Sequence, residues 1–216
     1  MTRLPDSKRL MCATCLRPQK SCICHWIRPA QHTVEVVILQ HPLEVTHAKG
    51  SARLLHLSLP HSVLVTGEVF EEKALHALLH APLPRSCGKG GRQAVLLYPE
   101  TPGQMAMGLA APRALAEPLL RDPASLRLVV LDGTWRKSRK MLYLNPLLQH
   151  LPRLALDGSA PSHYRIRKAH APGQLSTLEA TCQALMQLER DSRKFQPLLD
   201  AFDGFVAQQS GFNCSG

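Results

Sequence analysis

The stretch Arg127-Leu128-Val129-Val130-Leu131-Asp132-Gly133-Thr134-Trp135 decides the fold. Its first five residues are nearly continuous in Leu and Val, the pattern of a strand buried on both faces. Asp132 and Gly133 then end the strand. Thr134 can cap a helix through its hydroxyl, and the spacing predicts that helix over Trp135–Tyr143. A buried strand running straight into a helix is the repeating unit of a parallel α/β sheet.

The same alternation extends in both directions. Val34–Gln40, Ser62–Thr66, Ala94–Tyr98 and Arg153–Leu156 read as further strands. Helical spacing is found in Ser51–Leu57, Phe70–His80, Leu175–Arg190 and an amphipathic piece, Pro197–Ala207. Ala81–Gly91 and Pro99–Pro112, rich in Pro and Gly, read as surface loops, and Gln208–Gly216 as a frayed tail. The expectation is one mostly parallel α/β sheet with helices on both faces, residues 31–216, behind a cysteine-rich segment, residues 1–30. At 44% hydrophobic but only 5% aromatic residues, the core must be mainly aliphatic.

Charge narrows the class of partner. Lys and Arg total 26 against 16 acidic residues, a net charge of +10 with eleven histidines beyond that. A surplus of this size points to a polyanion, and nucleic acid fits best. Met1–Leu10 lacks the apolar centre of a secretory signal, and no apolar run is long enough to span a bilayer. The expected setting is cytoplasmic, with no membrane association and no obligate protein partner.

Seven cysteines exclude a fully paired disulfide framework, and four of them lie within thirteen residues. The spacing Cys12-x2-Cys15-x6-Cys22-x-Cys24 suits tetrahedral zinc, whose binding would supply folding energy to a segment without periodicity. An iron–sulfur cluster on the same thiolates is the alternative. His25 directly follows Cys24 and is poorly placed to substitute. Four protein ligands leave no open position, so the site is expected to be structural.

The candidate ligand site lies where strands end, because open α/β sheets bind ligands beyond the carboxyl ends of their strands. Asp132-Gly133-Thr134-Trp135 sits there, with Gly133 allowing close backbone approach and Trp135 offering a flat face. The same residues also read as a capped turn with a core Trp. Arg136, Lys137, Arg139 and Lys140 follow on the next helix. Tyr164-Arg165-Ile166-Arg167-Lys168 carries more positive charge. Ser176 and Glu179 match a capping box, and the helix they open presents N–H groups to a carboxylate. His41-Pro42-Leu43-Glu44 and Tyr98-Pro99 end the first and third strands and are expected to line the same crevice, although His41 also reads as a buried, hydrogen-bonded histidine.

Taken in order, the paired cysteines, His41-Pro42-Leu43-Glu44, Leu97-Tyr98-Pro99, Asp132-Gly133-Thr134-Trp135 and Ser176-Thr177-Leu178-Glu179-Ala180 resemble the DTW-domain family, named for its Asp-x-Thr-Trp box. The resemblance spans roughly residues 12–180. Bacterial members of that family are tRNA-uridine aminocarboxypropyltransferases. It implies a SPOUT-like α/β fold with a C-terminal trefoil knot. S-adenosylmethionine is the implied donor, and N3 of a uridine in tRNA the implied acceptor.

The implied cofactor pocket comprises Tyr98, Pro99, Asp132, Gly133, Thr134, Trp135, Arg167, Ser176, Thr177 and Glu179. Arg136, Lys137, Arg139, Arg165 and Lys168 are the residues expected to hold tRNA phosphates. Asp132 is the expected catalytic residue, as the acceptor of the uridine N3 proton; holding the cofactor or base is its alternative role. One departure is visible. Where many members have Lys followed by Asn-Thr or Asn-Ser, this chain has Lys49-Gly50-Ser51, so a helix cap or RNA contact there falls to Ser51 or is lost. An RNA methyltransferase of the same fold, and a zinc-stabilised RNA-binding module without catalysis, are the rival readings.

Overall fold

The computed structural model describes residues 10–47, 50–83, 91–99, 113–156 and 175–212. Six strands are present: β1 (Glu35–Gln40), β2 (Ser62–Thr66), β3 (Gln93–Leu97), β4 (Arg113–Ala114), β5 (Leu126–Asp132) and β6 (Pro152–Leu154). They form one sheet in the order β2-β1-β5-β3-β6-β4, with every pairing parallel. The helices are α1 (Ala52–Ser58), α2 (Glu72–His80), α3 (Trp135–Leu144), α4 (Pro146–Gln149), α5 (Thr177–Glu189) and α6 (Gln196–Phe212).

The central strands are buried from end to end, as their aliphatic runs require. Successive side chains leave opposite faces of a strand. Val36 and Ile38 of β1 and Leu128 and Val130 of β5 therefore pack toward α1, α5 and α6. Val37, Leu39, Val129 and Leu131 face the layer of α2, α3 and α4. The parallel α/β sandwich expected from the sequence is thus present. Among the described residues, no helix is long and apolar enough to cross a membrane. Residues 157–174, part of the C-terminal chain for which the resemblance implies a knot, lie outside the described residues.

Three elements differ from expectation. The two-residue β4 and the four-residue α4 are too short to leave a periodic signal. The C-terminal helix runs to Phe212 rather than ending at Ala207. Gln208, read as part of a frayed tail, belongs to this helix and accepts a 2.6 Å hydrogen bond from the Trp26 indole. Trp26 lies so close over α6 that a Cβ at Gly204 would be 2.2 Å from its ring. The aromatic ring thus needs glycine beneath it. Cys15 and Ile23 share a core with Leu198, Phe202 and Phe205, so the cysteine segment packs directly on this helix.

The amino ends of the strands are held by charge. Glu35 and Arg127, opposite each other in register, are both fully buried. Arg127 donates to Glu35 from Nε at 2.9 Å and from Nη2 at 2.6 Å, and Arg92 pairs with the second carboxylate oxygen at 3.0 Å. The extra positive charge is met by carbonyls: Arg127 also donates to Leu78 and Ala81, at the carboxyl end of α2. Removing one partner of such a buried group costs about 3–5 kcal/mol. With this edge closed, the carboxyl ends of the strands are the edge left for a ligand.

Candidate functional site

Beyond those carboxyl ends lies a cavity of about 670 Å³. Its walls are Leu97, Tyr98 and Pro99 after β3, Val130 and Leu131 of β5, and Gly133, Thr134, Trp135, Arg136 and Ser138 at the start of α3. Leu154–Leu156 after β6, and Leu175, Ser176, Thr177 and Ala180 at the start of α5, close it. Parallel strands put all these ends on one side, so residues distant in sequence meet there.

Each wall has a local cause. Thr134 caps α3, accepting from the Lys137 N–H, and the Ser138 hydroxyl donates to the Gly133 carbonyl. At Gly133 a Cβ would stand 3.1 Å from that of Lys137, tighter than ordinary contact, so the turn favours glycine. Trp135 is 51% exposed and meets the buried Tyr98 edge to face, with ring centroids 5.4 Å apart. The Arg153 guanidinium lies over the Tyr98 ring, 5.3 Å from its centroid. Burial pushes the Tyr98 hydroxyl above its ordinary pKa, and Arg153 and Arg139 pull against that shift.

The expected capping box is present: Ser176 N–H donates to the Glu179 carboxylate at 2.8 Å, and Glu179 N–H to Ser176 Oγ at 3.2 Å. Glu179 therefore shapes the entrance of α5 without lining the cavity. The Leu178 N–H donates to Ser51 Oγ at 3.3 Å. Ser51 makes no side-chain cap bond to α1, so the residue after the Gly50 departure serves α5 instead. In the first turn of α5, the Thr177 N–H has no partner among the described residues.

Asp132 stands at the junction of these walls but does not line the cavity. It is 5% exposed, and both carboxylate oxygens are engaged. One accepts from the Thr177 hydroxyl at 2.6 Å and the other from the Gln40 amide at 2.9 Å. Burial raises its pKa above the ordinary value, and the two hydrogen bonds oppose that. Gln40 was missed in the sequence. Its signal is a polar residue closing the aliphatic run Val36–Leu39, and in the sheet it stands in register with Asp132.

The His41 box does not join the cavity expected for it, and His41 is instead the buried, hydrogen-bonded histidine of the other reading. His41 is buried, accepting from the Leu43 N–H and meeting Glu68 at 2.9 Å, and Glu44 pairs with Lys137 at 2.7 Å. The box thus buttresses α3 from behind. This also takes Lys137 out of the free basic set, whereas Arg136 and Arg139 are exposed with no described ion-pair partner. Arg165, Arg167 and Lys168 lie outside the described residues.

At the amino end, Sγ of Cys12 lies 3.6 Å from that of Cys24, and Sγ of Cys15 lies 3.7 Å from that of Cys22. All four sulfurs fall within 4.8 Å of one another. Tetrahedral zinc with Zn–S bonds of about 2.3 Å would separate its sulfurs by roughly 3.8 Å, so the set fits. Leu16, at φ 57°, turns the chain back after the first pair, and its N–H donates to Cys12 O. The Cys15 and Thr14 backbone N–H groups hold Cys12 down to about 6, while burial pushes Cys24 up to about 12.

Comparison with known proteins agrees with these landmarks. The family model described as the DTW domain matches residues 9–210. The chain is 30% identical over 200 residues to tRNA-uridine aminocarboxypropyltransferase 2 of Macaca fascicularis, covering 90% of this chain and 62% of that protein. Against the protein of the same name in Drosophila melanogaster, identity is 31% over 189 residues, with coverages of 86% and 69%. tRNA-uridine aminocarboxypropyltransferase A of Arabidopsis thaliana is 24% identical over 225 residues, with coverages of 95% and 83%. The chain therefore spans less than two thirds of the macaque relative's length. No solved structure matches it.

The raised pKa of Asp132 has a stability consequence. A carboxyl that binds its proton more tightly when folded contributes stability at low pH, and that contribution is lost as pH rises through its folded pKa. Asp132→Asn retains an acceptor for Thr177, and the Gln40 amide can turn over to meet the new NH2. The variant is expected to melt a few degrees above the parent at pH 7, with the gap closing toward pH 4. A gap that does not change with pH in thermal melts would contradict this.

Proposed function

The chain belongs to the DTW-domain family, and from that membership we propose that it transfers a 3-amino-3-carboxypropyl group from S-adenosylmethionine to N3 of a uridine in tRNA. The observation carrying the proposal is the cavity at the strand ends, built from the motifs that mark the family. The printed names of the relatives supply the reaction class.

The cavity's volume falls in the range of small-molecule sites, and its character suits the donor. The faces of Tyr98 and Trp135 suit a base or a sulfonium. Pro99, Gly133 and Thr134 border the same space. The amino end of α5, where Ser176 and Thr177 line the cavity, suits a carboxylate. Arg167 remains in the proposed pocket on the resemblance alone, as do Arg165 and Lys168 among the tRNA contacts.

When bound, the donor would present the methylene next to its sulfonium: N3 would bond to that carbon as the C–S bond breaks, releasing 5'-methylthioadenosine, with the N3 proton passing to solvent. Methyl transfer differs only in which carbon on sulfur faces the acceptor, so the pocket's shape must select the outcome. Uridine must be unstacked to expose N3. A raised pKa by itself suits Asp132 as a base. With both oxygens held by Gln40 and Thr177, we assign it instead the positioning of α5 against β5. Glu179 acts likewise, through the cap.

The SPOUT-like knotted path and the cytoplasmic setting belong to the same proposal. Zinc on Cys12, Cys15, Cys22 and Cys24 would be structural, since four protein ligands leave no position for substrate. Metal analysis of purified protein is expected to give one zinc per chain; iron with acid-labile sulfide would contradict this. The reaction is tested by incubating the protein with unmodified tRNA and S-adenosylmethionine and identifying both products by mass spectrometry. The expected products are 5'-methylthioadenosine and a uridine carrying the aminocarboxypropyl mass. S-adenosylhomocysteine would make the protein a methyltransferase, and no product would favour a binding module.

A further inference from the structure

The helix that forms one wall of the cavity carries a second feature on its outer side. Ser138, Met141 and Leu142 are the buried residues of α3. At 3.6 residues per turn the opposite face is Arg136, Arg139, Lys140 and Tyr143, spaced i, i+3, i+4 and i+7. All four are exposed. Tyr143 is 60% exposed, an unusual placement for an aromatic residue in a chain with so few. Arg136 is itself part of the cavity wall, so the row starts at the mouth. Lys140 keeps 59% of its side chain exposed while pairing with Glu68 at 2.9 Å. From Arg136 to Tyr143 is roughly 10 Å along the axis at about 1.5 Å per residue.

Scattered exposed apolar residues are ordinary and mean nothing alone. This one stands in line with two guanidinium groups that no described residue pairs. Cations along a backbone path with an aromatic platform for a base are the elements of a site for single-stranded nucleic acid. Resting on the transferase reading, we propose that this outer face of α3 is a track for the single-stranded RNA flanking the modified uridine. Arg136 and Arg139 take its phosphates, and the Tyr143 ring stacks on a neighbouring base.

The test compares the parent protein with Tyr143→Ala and Tyr143→Phe. Affinity for unmodified tRNA is read by fluorescence anisotropy at fixed salt, without turnover, and KM and kcat are measured separately. Loss of one stacked base is expected to weaken tRNA binding, and raise KM for tRNA, by roughly 5- to 100-fold in Tyr143→Ala. Tyr143→Phe should bind within about twofold of the parent, and kcat and S-adenosylmethionine affinity should stay unchanged in both. Parent-like tRNA binding by Tyr143→Ala would overturn the track, as would equal losses in Ala and Phe, which would assign the effect to the hydroxyl. Because binding is read without turnover, Tyr143-dependent binding by a protein that makes no product would leave the track standing and remove the transferase reading. Product formation with Tyr143-independent binding would do the reverse.

Discussion

The two hydrogen bonds that occupy the Asp132 carboxylate hold the site together. Gln40 reaches it from the end of β1 and Thr177 from the first residue of α5, at 2.9 and 2.6 Å. Three chain segments separated by 92 and 45 residues thus converge on one buried carboxyl. Burying that group is costly, as its raised pKa records, and the cost is borne at the point where the cavity's walls must be placed. One buried side chain thus ties together the segments that carry the cavity's walls.

The opposite end of the sheet and the cysteine knuckle support this arrangement at a distance. The Arg92–Glu35–Arg127 group closes the amino ends of β1 and β5 and ties the end of α2 to them. The knuckle packs against α6 through Cys15, Ile23 and Trp26, in the same core as Leu178, Cys182 and Leu185 of α5. It also reaches the site by a shorter route. Arg17 donates to the Gly50 carbonyl at 2.9 Å, and the next residue, Ser51, receives the Leu178 N–H. A metal holding the four thiolates would therefore brace the same helix terminus that Asp132 holds from the sheet side.

The fold is largely legible in the sequence because both-face burial leaves aliphatic runs, as in Val36–Leu39 and Leu128–Leu131. The Ser176–Glu179 capping box was also legible, since it is a local pairing. What escaped was what depends on three-dimensional register. Nothing local says that Gln40 stands opposite Asp132, that Arg127 is wholly buried, or that the His41 box turns its side chains toward Glu68 and α3. The frayed-tail expectation failed for the same reason: Gln208 is held by Trp26, 182 residues away. The basic run after Trp135 reads as one set in the sequence, and the helix divides it into Lys137 and Lys140, each paired with a glutamate, and the outward Arg136 and Arg139.

The most direct test of the account is a calorimetric titration of S-adenosylmethionine into the parent protein and into Thr177→Val. This change removes the hydroxyl that Asp132 accepts from, while keeping the shape of the side chain. One site per chain is expected in the parent, and affinity about tenfold weaker in the variant, from the loss of one hydrogen bond to a charged group. No binding to the parent, or equal affinity in the two proteins, would contradict it.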